Sequence, residues 1–133
     1  MKLISILAAT ILLAAPAPPI VEIRDSPGGL IDVFSMNRYR FEQAGITVHI
    51  GGQCVSACTI YTGMAHVCLE PDAQILFHQG TKPSATYLML RLMDPDLRKY
   101  VETYGVPLPT WASQEFLVLE ADEAIARGMM EAC

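Results

Sequence analysis

Basic residues are scarce in this chain: nine Lys and Arg stand against fourteen Asp and Glu in 133 residues, for a formal net charge of −5. They form no cluster, which excludes the cationic surface that a nucleic acid would require. Nine glycines and nine prolines are too few and too dispersed for a fibrous or low-complexity protein. No linker, internal repeat or charge block divides the sequence, so a single domain is expected. What is abundant is apolar: 52% of residues are hydrophobic and the mean hydropathy is +0.33. That excess rules out intrinsic disorder.

The one long apolar run is an address. Met1-Lys2 precedes uncharged residues from Leu3 to Leu13, and Ala14-Ala15-Pro16-Ala17-Pro18-Pro19 follows. This is the order of a secretory signal, with a charged start, an apolar stretch and a small-residue end. The run is short for a membrane span, and prolines end it. We read residues 1–19 as an export signal and 20–133 as the mature domain, periplasmic or secreted.

Cys54, Cys58, Cys68 and Cys133 fit that address, since a small exported core gains from covalent staples. Four cysteines allow three pairings, and the sequence does not choose among them. A zinc site would show two short ligand pairs, whereas Cys68 and Cys133 lie far apart and His66 is the imidazole nearest them in sequence. Two disulfides and no metal are expected. His49, inside a strand pattern, and His66 are read as packing or surface residues. Tyr87, Met89 and Met93 are read as core or interface.

The mature part alternates between strand and helix patterns. Strands are expected at Ile20 to Arg24, Ile46 to Ile50 and Gln74 to His78. Between them lie an apolar helical stripe from Leu30 to Ala44, ended by Gly45, and a buried helix within Cys54 to Met64 that begins near Ser56. Gly51-Gly52-Gln53 reads as a turn. Helices are expected again at Ala85 to Met93, Asp96 to Tyr104 and Ala121 to Arg127, with a break at Asp94-Pro95. Units this short imply parallel strands joined by crossover helices, an α/β layered fold.

Three motifs fall at strand ends. Asp25-Ser26-Pro27-Gly28-Gly29 closes the first strand with glycines that let backbone amides approach an anion. Gly52-Gln53-Cys54-Val55-Ser56-Ala57-Cys58 sets a serine at a strand-to-helix turn, where the helix start favours a developing oxyanion. Phe77-His78-Gln79 brings a histidine to the same sheet edge, the edge where α/β folds build their sites. Taken singly these are a loop, a helix cap and a strand-end histidine. Together they supply a nucleophile, a base and backbone donors.

In that order and spacing, with Ser56 and His78 22 residues apart, the motifs resemble those of the ClpP family of serine peptidases, in the wider ClpP/crotonase superfamily. The closing segment Glu120-Ala121-Asp122-Glu123-Ala124 with Gly128-Met129-Met130 resembles that family too, and the Cys-x-Ser-Ala-Cys form with an export signal resembles its periplasmic members. The resemblance implies a ClpP/crotonase-like fold lacking the family's first strand-helix unit, hence N-terminally truncated. It implies peptide hydrolysis with Ser56 as nucleophile, His78 as base and the Gly28 and Ala57 amides as oxyanion donors.

For the third catalytic residue the family's Asp maps onto Ser113-Gln114-Glu115-Phe116, where one alignment gives Gln114 and Glu115 is the nearest carboxylate. A glutamate stabilises an imidazolium, which a glutamine does not. No cofactor is implied. The expected partner is a peptide or unfolded protein, with a homo-oligomer compatible. The region after His78 is shorter than the family's, so no ATPase partner is implied. Two other readings compete: a Ser-Lys dyad using Lys82 or Lys99, and a catalytically silent ClpP-like module that binds or assembles.

Overall fold

The computed structural model describes residues 15–104, 108–113 and 115–133, without the side chains of Tyr104 and Trp111. Most of the expected export signal, and Gln114, lie outside them. Among the described residues five strands form one sheet: β1 (Ile20–Ser26), β2 (Thr47–Val55), β3 (Val67–Leu69), β4 (Gln74–Phe77) and β5 (Leu117–Glu120). The helices are α1 (Ile31–Gln43), α2 (Pro83–Leu92), α3 (Pro95–Tyr104) and α4 (Ala121–Ala126), with 3-10 helices at Ser56–Gly63 and Trp111–Ser113.

The strand order is β1-β2-β4-β5, with β3 also on β2. β1, β3 and β4 all run parallel to β2. β3 and β4 share one side of it: β3 pairs with Val48–Ile50 and β4 with Gln53–Val55. The two act as one strand interrupted at Pro71-Asp72, where Glu70 N–H donates to the Ile50 carbonyl at 2.8 Å and Ala73 N–H to the Glu70 carbonyl at 3.0 Å. The core lies on β2 to β5: Val48, Ile50, Leu69, Ile75 and Leu119 are fully buried, together with Leu97 and Val101 of α3. Along β2 burial alternates, with Val48 and Ile50 in the core and Thr47 and His49 only half-buried, as successive strand residues point to opposite faces.

Two sequence expectations change. Gly51-Gly52-Gln53 is not a turn but the continuation of β2, because Arg24 and Asp25 of β1 occupy the space that side chains would fill; a Cβ on Gly52 would stand 2.1 Å from Asp25 Oδ1. β2 is therefore nine residues long. The helix expected to begin near Ser56 does begin there, but as a 3-10 helix, Ser56–Gly63. In addition, β5 runs antiparallel to β4, an element that the four residues Leu117–Glu120 are too short to announce by periodicity.

α1 is held by one charged side chain as much as by packing. The Arg38 guanidinium donates to the carbonyls of Gly63 at 2.7 Å, Ile60 at 3.3 Å and Leu92, and pairs with Glu42 at 2.9 Å. It thus caps the Gly63 and Leu92 carbonyls at the ends of two helices and adds a contact to that of Ile60. Phe34 and Phe41 add contacts to Tyr61, with ring centroids 5.4 and 5.9 Å apart. Among the described residues, no helix is long and apolar enough to cross a membrane.

Candidate active site

Ser56 follows directly on β2 and opens the 3-10 helix in a left-handed conformation, φ +56°. A non-glycine residue there is strained, by about 1–3 kcal/mol, and persists only where its surroundings hold it. Those surroundings are identifiable. Beneath it, Cys54 and Cys58 form a disulfide, with Cα atoms 5.3 Å apart, that ties the end of β2 to the first helical turn. Both cysteines are fully buried in the core. Thr59 Oγ1 donates to the Ser56 carbonyl at 2.7 Å. Above it lies the turn after β1.

That turn explains its glycine. Gly28 has φ +81°, and a Cβ there would stand 2.5 Å from the Val55 carbonyl oxygen, 2.9 Å from Ser56 Cβ and 3.3 Å from the Ala57 amide nitrogen. Only glycine lets the Pro27-Gly28-Gly29 backbone rest on the serine turn this closely. The Gly28 and Ala57 amides therefore belong to one small region around Ser56. Gly28 N–H has a contact of 3.5 Å to Ser26 Oγ, weak enough to yield to a better acceptor. The first amides of a helix lack partners within it.

β4 carries His78 to the same place. Val55 pairs with Leu76, so the residues just beyond, Ser56 and His78, emerge at one end of neighbouring strands. Both line a cleft of about 450 Å³ between the start of α1 and α2, with Leu30, Ile31, Leu88 and Met89 on its apolar walls. His78 Nδ1 lies 2.6 Å from the Gln79 carbonyl oxygen. A carbonyl only accepts, so Nδ1 bears the proton and Nε2 keeps the lone pair that a general base needs. Gln79 is itself pinned, its N–H to the Pro109 carbonyl at 2.8 Å and its side-chain amide to the Leu108 carbonyl at 2.7 Å.

The third position is not assembled in the same way. Glu115 is exposed, its amide on Ser113 Oγ at 3.3 Å. Among the described residues no hydrogen bond joins it to His78. The neighbour on the imidazole is Phe116, edge-on with ring centroids 5.5 Å apart. Nor is Ser56 bonded to His78: its hydroxyl faces Met89 Sδ at 3.7 Å. Catalytic hydrogen bonds are often loose before substrate arrives. Of the lysines, Lys82 lines the cleft and Lys99 lies in a separate groove along α3.

Sequence reasoning did not reach Met89, Phe116 or the Gln79 carbonyl. Met89 reads as an ordinary buried position of a helical stripe, and a carbonyl has no sequence signature. His66 is exposed at the surface, and Tyr87 too, whereas Met93 is buried in the core.

No family model matches this sequence, and no curated protein does either. Solved structures do. The ClpP protease catalytic domain from Plasmodium falciparum is similar over 87% of this chain and 68% of its own, with a TM-score of 0.59 at 18% identity. A point mutant of ClpP1 from Listeria monocytogenes is similar over 88% of this chain and 75% of its own, with a TM-score of 0.53 at 17% identity. The fold is ClpP-like. On this ClpP-like scaffold the strained serine, the glycine turn and the histidine occupy adjoining strand ends, and the buried disulfide lies beneath the serine without lining the cleft.

Proposed function

We propose that this chain is an exported ClpP-like serine peptidase. The observation that carries the reading is the left-handed Ser56, clasped between Gly28 and a buried disulfide and facing the cleft that His78 also lines. In the reaction, His78 Nε2 takes the Ser56 hydroxyl proton as Oγ attacks a peptide carbonyl. The Gly28 and Ala57 amides receive the oxyanion. The imidazolium returns its proton to the leaving amine, and water, deprotonated by the same nitrogen, releases the acyl group. The Gln79 carbonyl fixes the tautomer, and Glu115 is the carboxylate proposed as the third member. The substrate is a peptide or unfolded protein, and a homo-oligomer fits the resemblance to ClpP.

Two disulfides suit an oxidising compartment, and the apolar N-terminal run supports a periplasmic or secreted location. The competing reading, a silent binding module, draws on the Ser56 hydroxyl facing Met89 and on the exposed Glu115. A fluorophosphonate decides between them. It should label the oxidised wild type, and labelling should vanish in Ser56→Ala and fall at least about a thousandfold in rate in His78→Ala. Lys82→Ala should label normally. An unlabelled but folded wild type supports the silent module, and loss of labelling in Ser56→Ala and Lys82→Ala with His78→Ala still labelled supports a Ser-Lys dyad.

A further inference from the structure

The other half of β2 carries a second cluster of reactive side chains. His49 pairs in register with Cys68 of β3, and directly opposed strand residues project to the same face. The neighbours of His49, Val48 and Ile50, point into the core. The C-terminus returns to this spot: Ala132 bridges Leu69, and Cys133 N–H donates to the Leu69 carbonyl at 2.9 Å. Cys133 is thereby set on Cys68, with which it forms the second disulfide. One ligating atom each from His49, Cys68 and Cys133 lies within 4.8 Å of the others. The imidazole brought to these cysteines is His49, not His66.

A further contact completes the pattern. His49 Nδ1 lies 3.0 Å from Glu70 Oε1. With the carboxylate accepting, Nδ1 holds the proton and Nε2 carries the lone pair. This carboxylate-histidine arrangement is the one that orients a metal-bound imidazole. His49 and Cys68 are half-buried and Cys133 is exposed, so an ion from solvent reaches the sulfurs.

We propose that reduction of Cys68–Cys133 converts this cluster into a site for a divalent metal of the zinc class, with two thiolates and the His49 imidazole as ligands and water in the fourth position. A dithiol reductant supplies two electrons and two protons, opening the S–S bond to two thiols while becoming a disulfide itself. Metal binding then displaces the two thiol protons. The sulfurs must separate to take tetrahedral positions, and Cys133, exposed at the surface, has the space to do so. Disulfide and metal exclude each other, so the ion holds the C-terminus on β3 when the covalent staple is open. Cys54 and Cys58, enclosed in the core, belong to no such cluster among the described residues.

The test is a cobalt(II) titration of the mature chain, oxidised and reduced, under exclusion of oxygen. The reduced protein should take one equivalent with a thiolate-to-cobalt charge-transfer band that zinc(II) abolishes, and the oxidised protein should show none. A Cys54→Ala/Cys58→Ala variant should keep the band. Cys133→Ser should lose about half its intensity, one of two thiolates being gone, and His49→Ala should weaken binding about a hundredfold or more. Glu70→Gln should keep the spectrum and weaken binding by about 10–100-fold. A band absent from the reduced wild type, unaffected by His49→Ala, or lost in Cys54→Ala/Cys58→Ala overturns the proposal. Should reduction unfold the chain, one equivalent of zinc must restore its circular dichroism, and failure to do so overturns it equally.

Discussion

The two halves of β2 solve different problems. Its N-terminal half is a regular ladder with β3, stapled to the far end of the chain by Cys68–Cys133 across 65 residues. Its C-terminal half is irregular: the register with β1 shifts between Arg24 and Ser26, and Asp25, Gly52 and Ser56 are all left-handed. There the staple, Cys54–Cys58, spans 4 residues. By the entropy of loop closure the long staple stabilises the fold by about 4 kcal/mol and the short one by about 2. The long staple gathers the chain, whereas the short one holds a single turn in a conformation it would otherwise leave. Strain at one end is affordable because the rest of the sheet is regular.

The sharpest way to break this contrast is to fill the space above the serine. Gly28→Ala places a Cβ against the Val55 carbonyl oxygen at 2.5 Å, in backbone that cannot retreat, at a φ that disfavours any side chain. It should destabilise the fold by about 3 kcal/mol or more and remove fluorophosphonate labelling. Gly45→Ala is the matched control. Its φ is +63°, yet nothing lies within 4 Å of the added carbon, so the loss should be about 1 kcal/mol with labelling intact. Urea denaturation of both variants checks the pair.

The staples separate next. A Cys68→Ser/Cys133→Ser chain should lose about 4 kcal/mol of stability yet label at a normal rate wherever it stays folded. A Cys54→Ala/Cys58→Ala chain should lose about 2 kcal/mol but label far more slowly, because Ser56 relaxes. Equal effects on labelling would show that the short staple has no special hold on the serine.

Arg38→Met, which keeps much of the stem and removes the donors, should cost about 2 kcal/mol by taking the guanidinium from the Gly63 and Leu92 carbonyls at the helix ends. Thermal melts will read this as a lowered melting temperature.

The smallest effect belongs to Asp72→Asn. Arg24 donates to Asp72 at 2.5 Å, and this hydrogen bond holds the Asp72 carboxyl below its ordinary range. A carboxyl depressed by folding stabilises the native state above its unfolded pKa, and that contribution is lost as pH falls through the folded value. Since the pair is exposed, the variant should differ from wild type only slightly at neutral pH. The difference should vanish in acid and shrink with salt.

Much of this was legible in local sequence. Each signal rests on chain chemistry that needs no distant partner: proline and glycine mark the turn at Pro27-Gly28-Gly29, periodicity marks α1 to α3, and spacing marks Ser56 and His78. β3 and β5 escaped because each is short and, unlike the equally short β4 after its Pro71-Asp72 turn, has no turn signal of that kind just before it. The extension of β2 through Gly51 and Gly52 escaped because glycine signals a turn locally, and only Arg24 and Asp25 folding over those positions makes a strand of them. The orientation of His78 is set by a main-chain oxygen, which every residue has and no sequence distinguishes.

The cysteines mark the boundary most plainly. Sequence alone determined that four of them sit in a short chain behind an apolar leader-like run, and therefore that they would pair; it left three pairings open. Tertiary structure chose. Cys54 and Cys58 meet because Ser56 turns left-handed between strand and helix, and Cys133 reaches Cys68 because the last residues bridge β3 beside His49. Composition and periodicity act along the chain, whereas pairing, strain and the gathering of His49 with two sulfurs depend on which distant segments the sheet brings to the same place.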